Sequence, residues 1–173
     1  MPLHFQLLGL TALLAIILSW PRLGAYLSSS SILYFNDQYS YLAPLHWIEH
    51  PLITIIGITL LIISMIWIIV AQIQMGISWR IGIDSIHKTE LKTNGLFSLS
   101  RNPIFLGMKL NILGFFLTLP NAVTFAIWVT GIAIIDIQVS LEEAHLRQLH
   151  GSAYDKYANR VGRWITFSHG PRP

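Results

Sequence analysis

Residues 103–143 read PIFLGMKLNILGFFLTLPNAVTFAIWVTGIAIIDIQVSLEE. Two apolar runs, Pro103 to Leu119 and Asn121 to Leu141, are parted only by the LPN turn around Pro120. Each is long enough, or nearly so, to cross about 30 Å of hydrocarbon as a helix. A connection that short makes the two helices antiparallel neighbours. The stretch therefore predicts a membrane hairpin whose polar flanks, Arg101-Asn102 before it and Glu142-Glu143 at its end, converge on one face.

Working outward, the composition agrees with a membrane protein. Of 173 residues 53% are hydrophobic and only 11% charged, against about 25% charged in ordinary soluble domains. Two further apolar runs, Leu3 to Trp20 and Pro51 to Ile73, lie upstream. The first has neither a basic n-region nor a small-residue cleavage site, so it is read as a retained span rather than a signal peptide. The expected fold class is all-α integral membrane, with about four transmembrane helices, a tight hairpin of the third and fourth, and a C-terminal amphipathic helix. All of 1–173 is taken as a single membrane domain, 1–73 holding the first two spans and outer loop and 74–173 the functional part.

Charge placement sets the expected topology. Arg80, Lys88, Lys92 and Arg101 lie between spans two and three, and Arg147, Lys156, Arg160, Arg163 and Arg172 follow span four. These segments share a face, which the positive-inside rule makes cytoplasmic. The opposite loop, Pro21 to His50, contains only Arg22, and its Ser, Tyr and Trp residues suit an interfacial connector. Both termini are then cytoplasmic, and membrane lipids are the expected surroundings.

Several chemistries are excluded or disfavoured. With no cysteine, there is no disulfide, thiolate metal site or cysteine nucleophile. Neither G-x-G-x-x-G nor a P-loop is present. His145 and His150 are five apart, about 140° around a helix, a poor fit to two zinc ligands on one face. No metal and no nucleic-acid partner is expected, and His87 reads as an interfacial polar residue.

The two hairpin flanks carry the remaining candidates. Asn102 followed by Pro103 reads as a helix start, whose unpaired N–H groups can hold an anionic or hydroxyl-bearing ligand or simply begin a helix. Glu142 and Glu143 can receive an ammonium or hydroxyls, or be a solvated acidic helix end. Arg160 and Arg163 can orient a carboxylate or phosphate, or contact anionic headgroups. Leu146, Leu149, Ala153, Tyr157, Val161 and Trp164 recur at three- and four-residue spacing, an amphipathic helix with a break expected at Gly151. Within the spans, Lys109 and Asp136 each lie six residues in from a cytoplasmic end, roughly 9 Å deep. They either pair or leave Lys109 snorkelling towards the headgroups.

The segments KTELKTNGLFSLSRNPIFLGMKLNILGFFLTLPN and SLEEAHLRQLHGSAYDKYANRVGRW resemble the isoprenylcysteine carboxyl methyltransferase and phospholipid methyltransferase family, integral membrane enzymes that use S-adenosylmethionine. The shared pattern is Arg-His-Pro-x-Tyr at a helix start, a hydrophobic hairpin, Glu-Glu, then Gly-x-x-Tyr-x-x-Tyr and a basic stretch. Here it reads Arg101-Asn102-Pro103-Ile104-Phe105, then Glu142-Glu143, then Gly151 to Tyr157. The upstream QMGISWRIGID looks like bacterial members, which implies a bacterial inner membrane. The resemblance implies cofactor contacts from Thr89, Glu90, Leu91, Lys92, Phe97, Arg101, Asn102, Pro103, Ile104 and Phe105, with Glu142 on the cofactor's polar part. S-adenosylhomocysteine would be the product.

Asn102 stands where histidine is usual and Phe105 where tyrosine is. Gln138 occupies the substrate-facing position where members that methylate prenylcysteine carry arginine, which speaks against that carboxylate as acceptor. The expected acceptor is lipophilic, with a carboxylate, amine or thiol as nucleophile. A carboxylate needs an orienting cation, Arg160 or Arg163; an amine or thiol must lose a proton, with Glu143, Asp136 or His145 as base. The alternatives are an NADPH-dependent membrane reductase of the sterol reductase type and a non-catalytic membrane scaffold.

Overall fold

A computed structural model describes residues 41–76 and 91–165. The expected first span, the outer loop before Tyr41, and Arg80, His87, Lys88, Thr89, Glu90 and Arg172 lie outside the described residues. Among those described there are four α-helices and no sheet: α1 (Pro51–Met75), α2 (Pro103–Thr118), α3 (Ala122–His150) and α4 (Ser152–Arg160). A 3-10 turn, Gly95–Ser98, precedes α2.

The helices α1 and α3 are long and apolar enough to cross a membrane; α2, at 16 residues, is shorter. Their surfaces argue the same point. Along α1 the buried stripe is Thr54, Gly57, Leu61, Ser64, Ile68 and Ala71, while Leu52, Ile55, Ile62, Ile66, Ile69 and Ile73 are exposed. On α3, Val123, Ile127, Ile134, Ile137 and Leu141 are exposed. Small and hydroxyl residues inside with branched aliphatics outside invert the pattern of a water-soluble helix and suit a lipid surround.

The chain divides into two compact units, residues up to Ser64 with Met108–Ile132, and Met65–Gly107 with Ala133 onward. In the first, the start of α1 packs on the end of α2 with backbones nearly touching. A Cβ on Gly57 would lie 2.7 Å from the Thr118 nitrogen, and one on Gly114 3.0 Å from the Gly57 carbonyl oxygen. Leu61, Phe115 and Leu119 fill the seam, and the Asn111 amide donates to Ser64 Oγ at 3.1 Å. The α2–α3 turn is capped reciprocally: Thr124 N–H donates to Asn121 Oδ1 at 2.9 Å, and Asn121 N–H to Thr124 Oγ1 at 3.2 Å. Residues before α1 lace to that turn through Leu45 N–H and the Pro120 carbonyl, 2.9 Å apart. Phe116 stacks on Trp128 with ring centroids 5.4 Å apart.

The second unit contains the ends of α1 and α3, the start of α2 and α4. Here α3 departs from the sequence reading, continuing past Leu141 through both glutamates to His150. LEEAHLRQLH contains nothing that breaks a helix, and the apolar run ends nine residues before the helix does. Gly151 ends it, with φ of 53°, a left-handed conformation that glycine adopts without a Cβ clash. That kink resets the helical phase, so α4 buries Tyr154 and Tyr157 and exposes Ala153, which had been expected on the inner face. Tyr154, Tyr157 and Val161 form a small core with Leu91 and Leu146 packed against it.

Candidate functional site

The site is built where residues 95–103 meet the end of α3 and the segment after α4, all within the second unit. Gly95, at φ of 62°, opens the 3-10 turn. The Leu96 N–H donates to Gln74 Oε1 of α1 at 2.7 Å, and the Trp67 indole donates to the Pro103 carbonyl at 2.9 Å. The Tyr157 hydroxyl donates to the Phe97 carbonyl at 2.6 Å. Ser100 Oγ accepts the Asn102 N–H at 3.1 Å and donates to the Arg163 carbonyl at 3.2 Å. Arg101 N–H donates to the Gly162 carbonyl at 3.0 Å. The loop before α2 is thus held on one side by α1 and on the other by the chain that follows α4.

At the centre sits Glu143, buried with only 6% of its surface exposed. Its Oε1 accepts the Asn102 side-chain amide at 2.8 Å and lies 3.5 Å from an Arg101 guanidinium nitrogen. Its Oε2 accepts both Arg163 Nε at 3.1 Å and a terminal guanidinium nitrogen at 2.7 Å, so that one oxygen takes two charge-assisted bonds. Burial alone would raise the carboxyl pKa, but the hydrogen bonds from Arg163 and Asn102 and the charges of both arginines outweigh it and hold it below the ordinary value. Glu143 lies beyond Leu141, past the apolar part of α3, so this polar cluster belongs to the membrane's edge. The Arg163 pKa rises in turn through its bond to Glu143.

Two phenols flank the cluster. Burial, with the Glu143 charge added, raises the Tyr154 pKa, and burial raises that of Tyr157 further. Both remain protonated donors at neutral pH. Arg147 lies over the Tyr154 ring, 5.6 Å from its centroid, and pairs with Asp155 at 2.9 Å.

Of the residues singled out from sequence, Phe97, Asn102, Pro103, Ile104 and Glu143 are buried, and Leu91, Lys92, Arg101, Phe105 and Glu142 are half-buried. Gln138 and Arg160 are exposed. Asn102 begins α2 as read, its carbonyl accepting the Leu106 N–H at 2.9 Å. The carboxylate its side-chain amide meets is Glu143; Glu142 lies one residue and about 100° further around the helix. Sequence reasoning gave no site role to Tyr154, Tyr157, Ser100, Trp67 or Gln74. The Gly-x-x-Tyr-x-x-Tyr spacing pointed to the two tyrosines; the other three carry no such signal.

No curated protein and no solved structure matches the chain. A family model does, that of phospholipid methyltransferase, over residues 52–153. That interval is more than half of the chain and includes all of α1 but its first residue, the hairpin, Arg101-Asn102-Pro103 and both glutamates. Enzymes of this family use S-adenosylmethionine, and membership implies a lipid-type methyl acceptor. The chain belongs to the phospholipid methyltransferase family and is an S-adenosylmethionine-dependent methyltransferase.

Proposed function

We propose that the cofactor is held by Thr89 to Lys92, Phe97 and Arg101 to Phe105 together with Glu142, and that a lipophilic acceptor reaches it sideways from the bilayer. The observation that carries this reading is the 2.8 Å hydrogen bond from Asn102 to Glu143. It joins the helix start and the glutamate pair, the two family elements, into one polar cluster at the membrane's edge. The residues suit the group. A helix N-terminus and aromatic rings complement a nucleoside and an amino acid with both charges, and the buried Arg101 Nε and Tyr154 hydroxyl have no hydrogen-bond partner.

When bound, S-adenosylmethionine supplies a methyl group already activated by its sulfonium. What remains for the protein is alignment and exclusion of water. The loop 95–103 is fixed by Gln74, Trp67 and Tyr157, and the segment after α4 covers it. Glu143, fully paired and held ionised, acts as the organiser of the cluster rather than as a base. A carboxylate acceptor requires only an orienting cation, and Arg160 is exposed on α4 for that task; Arg163 is engaged by Glu143. An amine or thiol acceptor would lose its proton to His145, exposed one turn beyond Glu142 on α3.

The remaining topology follows the charge pattern: four spans, with the cofactor site and both termini cytoplasmic. The deciding experiment is calorimetric titration of the detergent-solubilised protein with S-adenosylhomocysteine and with NADP. Binding of the first alone, lost in Glu142→Ala, supports the site assignment; retention in that variant overturns the role of Glu142. Methylation of lipid extracts with labelled cofactor then identifies the acceptor.

A further inference from the structure

Two of the residues assigned to the cofactor lie beneath the last part of the described chain. Phe97 and Asn102 are each 5% exposed, and each is held by it directly. The Tyr157 hydroxyl of α4 donates to the Phe97 carbonyl, and the Asn102 amide donates to the Arg163 carbonyl at 3.3 Å. Between them, Arg101 donates its N–H to the Gly162 carbonyl. A ligand cannot reach Phe97 or Asn102 while α4 and the segment through Arg163 stay in place. That stretch has to move before the site can be filled.

Gly151 is the joint about which it can move. Its φ of 53° and ψ of −127° are open to glycine and crowd a residue with a Cβ. The Gly151 N–H donates to the Arg147 carbonyl at 2.9 Å, closing α3, and the Asp155 N–H donates to the Gly151 carbonyl at 3.2 Å, opening α4. A Cβ built on Gly151 meets nothing within 4 Å, so the joint stands clear of its surroundings. An ion pair crosses it: Arg147 on α3 meets Asp155 on α4 at 2.9 Å, and the same guanidinium lies 5.6 Å from the Tyr154 ring centroid. Both members of the pair are more than half exposed. A pair of that kind shifts an equilibrium by about two- to fivefold, enough to favour the closed position and too little to lock it.

We propose that α4 and the residues after it through Arg163 form a lid, hinged at Gly151 and latched by Arg147 and Asp155, which lifts to admit S-adenosylmethionine and to release S-adenosylhomocysteine. Closed, the lid rests on the small core of Tyr154, Tyr157 and Val161 and covers the loop before α2. The proposal rests on the cofactor site described above and adds how that site is entered.

The chain has no cysteine, so Arg147→Cys with Asp155→Cys can be bridged by a short bis-maleimide containing a disulfide, which fixes the joint until a reductant frees it. Two measurements follow on the full chain in detergent. One is amide hydrogen exchange at Arg101, whose N–H is held by the Gly162 carbonyl; the other is the association and dissociation rates of S-adenosylhomocysteine. The bridge should slow the exchange and both rates by about tenfold or more, and reduction should restore them. Asp155→Asn weakens the latch in free and bound protein alike, so the exchange and both rates should rise about two- to fivefold with the dissociation constant unchanged. Exchange at the Leu45 N–H, held by the Pro120 carbonyl in the other unit, should stay as in the wild type; a rise there in Asp155→Asn would mean general destabilisation and overturn the latch. If the bridged protein exchanges at Arg101 and binds as fast as the reduced one, or if Asp155→Asn alters the dissociation constant and leaves exchange at Arg101 unchanged, the lid is overturned. Failure of the wild type to bind S-adenosylhomocysteine would count against the cofactor-site reading, while exchange at Arg101 still decides the lid.

Discussion

Asn102 and Glu143 stand 41 residues apart in the chain and share a buried hydrogen bond of 2.8 Å, closing the polar ends of α2 and α3 upon each other. Glu143 also receives three separate side chains, Asn102, Arg101 and Arg163. Its removal therefore leaves more than one group without a counterpart.

Glu143→Ala should destabilise the protein by about 2–3 kcal/mol. That is less than the 3–5 kcal/mol of a fully buried pair, because the Arg163 side chain is 43% exposed and partly screened. Glu143→Gln, which retains the acceptor facing Asn102, should lose less. Thermal melts of both in one detergent test the order; equal losses would mean that charge contributes nothing.

The pH dependence has a definite sign. Glu143 has a folded pKa below the ordinary carboxylate value of 4.5, so its contribution is fully present above that value and is lost as pH falls through the folded pKa. The melting temperature should decline on acidification below about pH 4.5. The decline should flatten in Glu143→Gln.

Tyr157→Phe leaves the Phe97 carbonyl without its donor. A cost of about 1–2 kcal/mol in stability is expected, together with a raised KM for S-adenosylmethionine, because the loop before α2 is then held less firmly. An unchanged KM would show that the loop is positioned without this bond.

Gly114→Ala places a Cβ 3.0 Å from both the Gly57 carbonyl oxygen and the Leu61 nitrogen. Both are backbone atoms and cannot swing aside. The helices must separate, at about 1–3 kcal/mol, and melting in mild detergent reads this directly. Gly76→Ala, where a Cβ meets nothing within 4 Å, gives a contrasting case limited to the strain of its positive φ.

The hairpin was legible because apolar runs and the LPN turn are local signals, and α2 and α3 end and begin on either side of it. That the polar flanks of the hairpin meet was legible as well, but not that Glu143 makes the direct contact with Asn102. Which of two adjacent glutamates faces Asn102 depends on the rotation of α3, and a sequence with apolar residues all around that helix offers no phase. The same limit hid the inner face of α4: Ala153 and Tyr154 compete for it, and the left-handed Gly151 decides. Gln74 and Trp67 were invisible for another reason, since each acts on a loop or helix start far along the chain through a single side-chain atom.

The chain after α4 is held largely by its carbonyl groups. Arg101 N–H ends on the Gly162 oxygen, and Ser100 Oγ and the Asn102 amide both end on that of Arg163. Every amino acid supplies such an oxygen, so these bonds do not depend on which side chains stand at 162 and 163, although Val161 in the small core and Arg163 on Glu143 add side-chain anchors of their own. Position 162 can therefore change its side chain without unseating this segment, since what Arg101 N–H grips there is backbone.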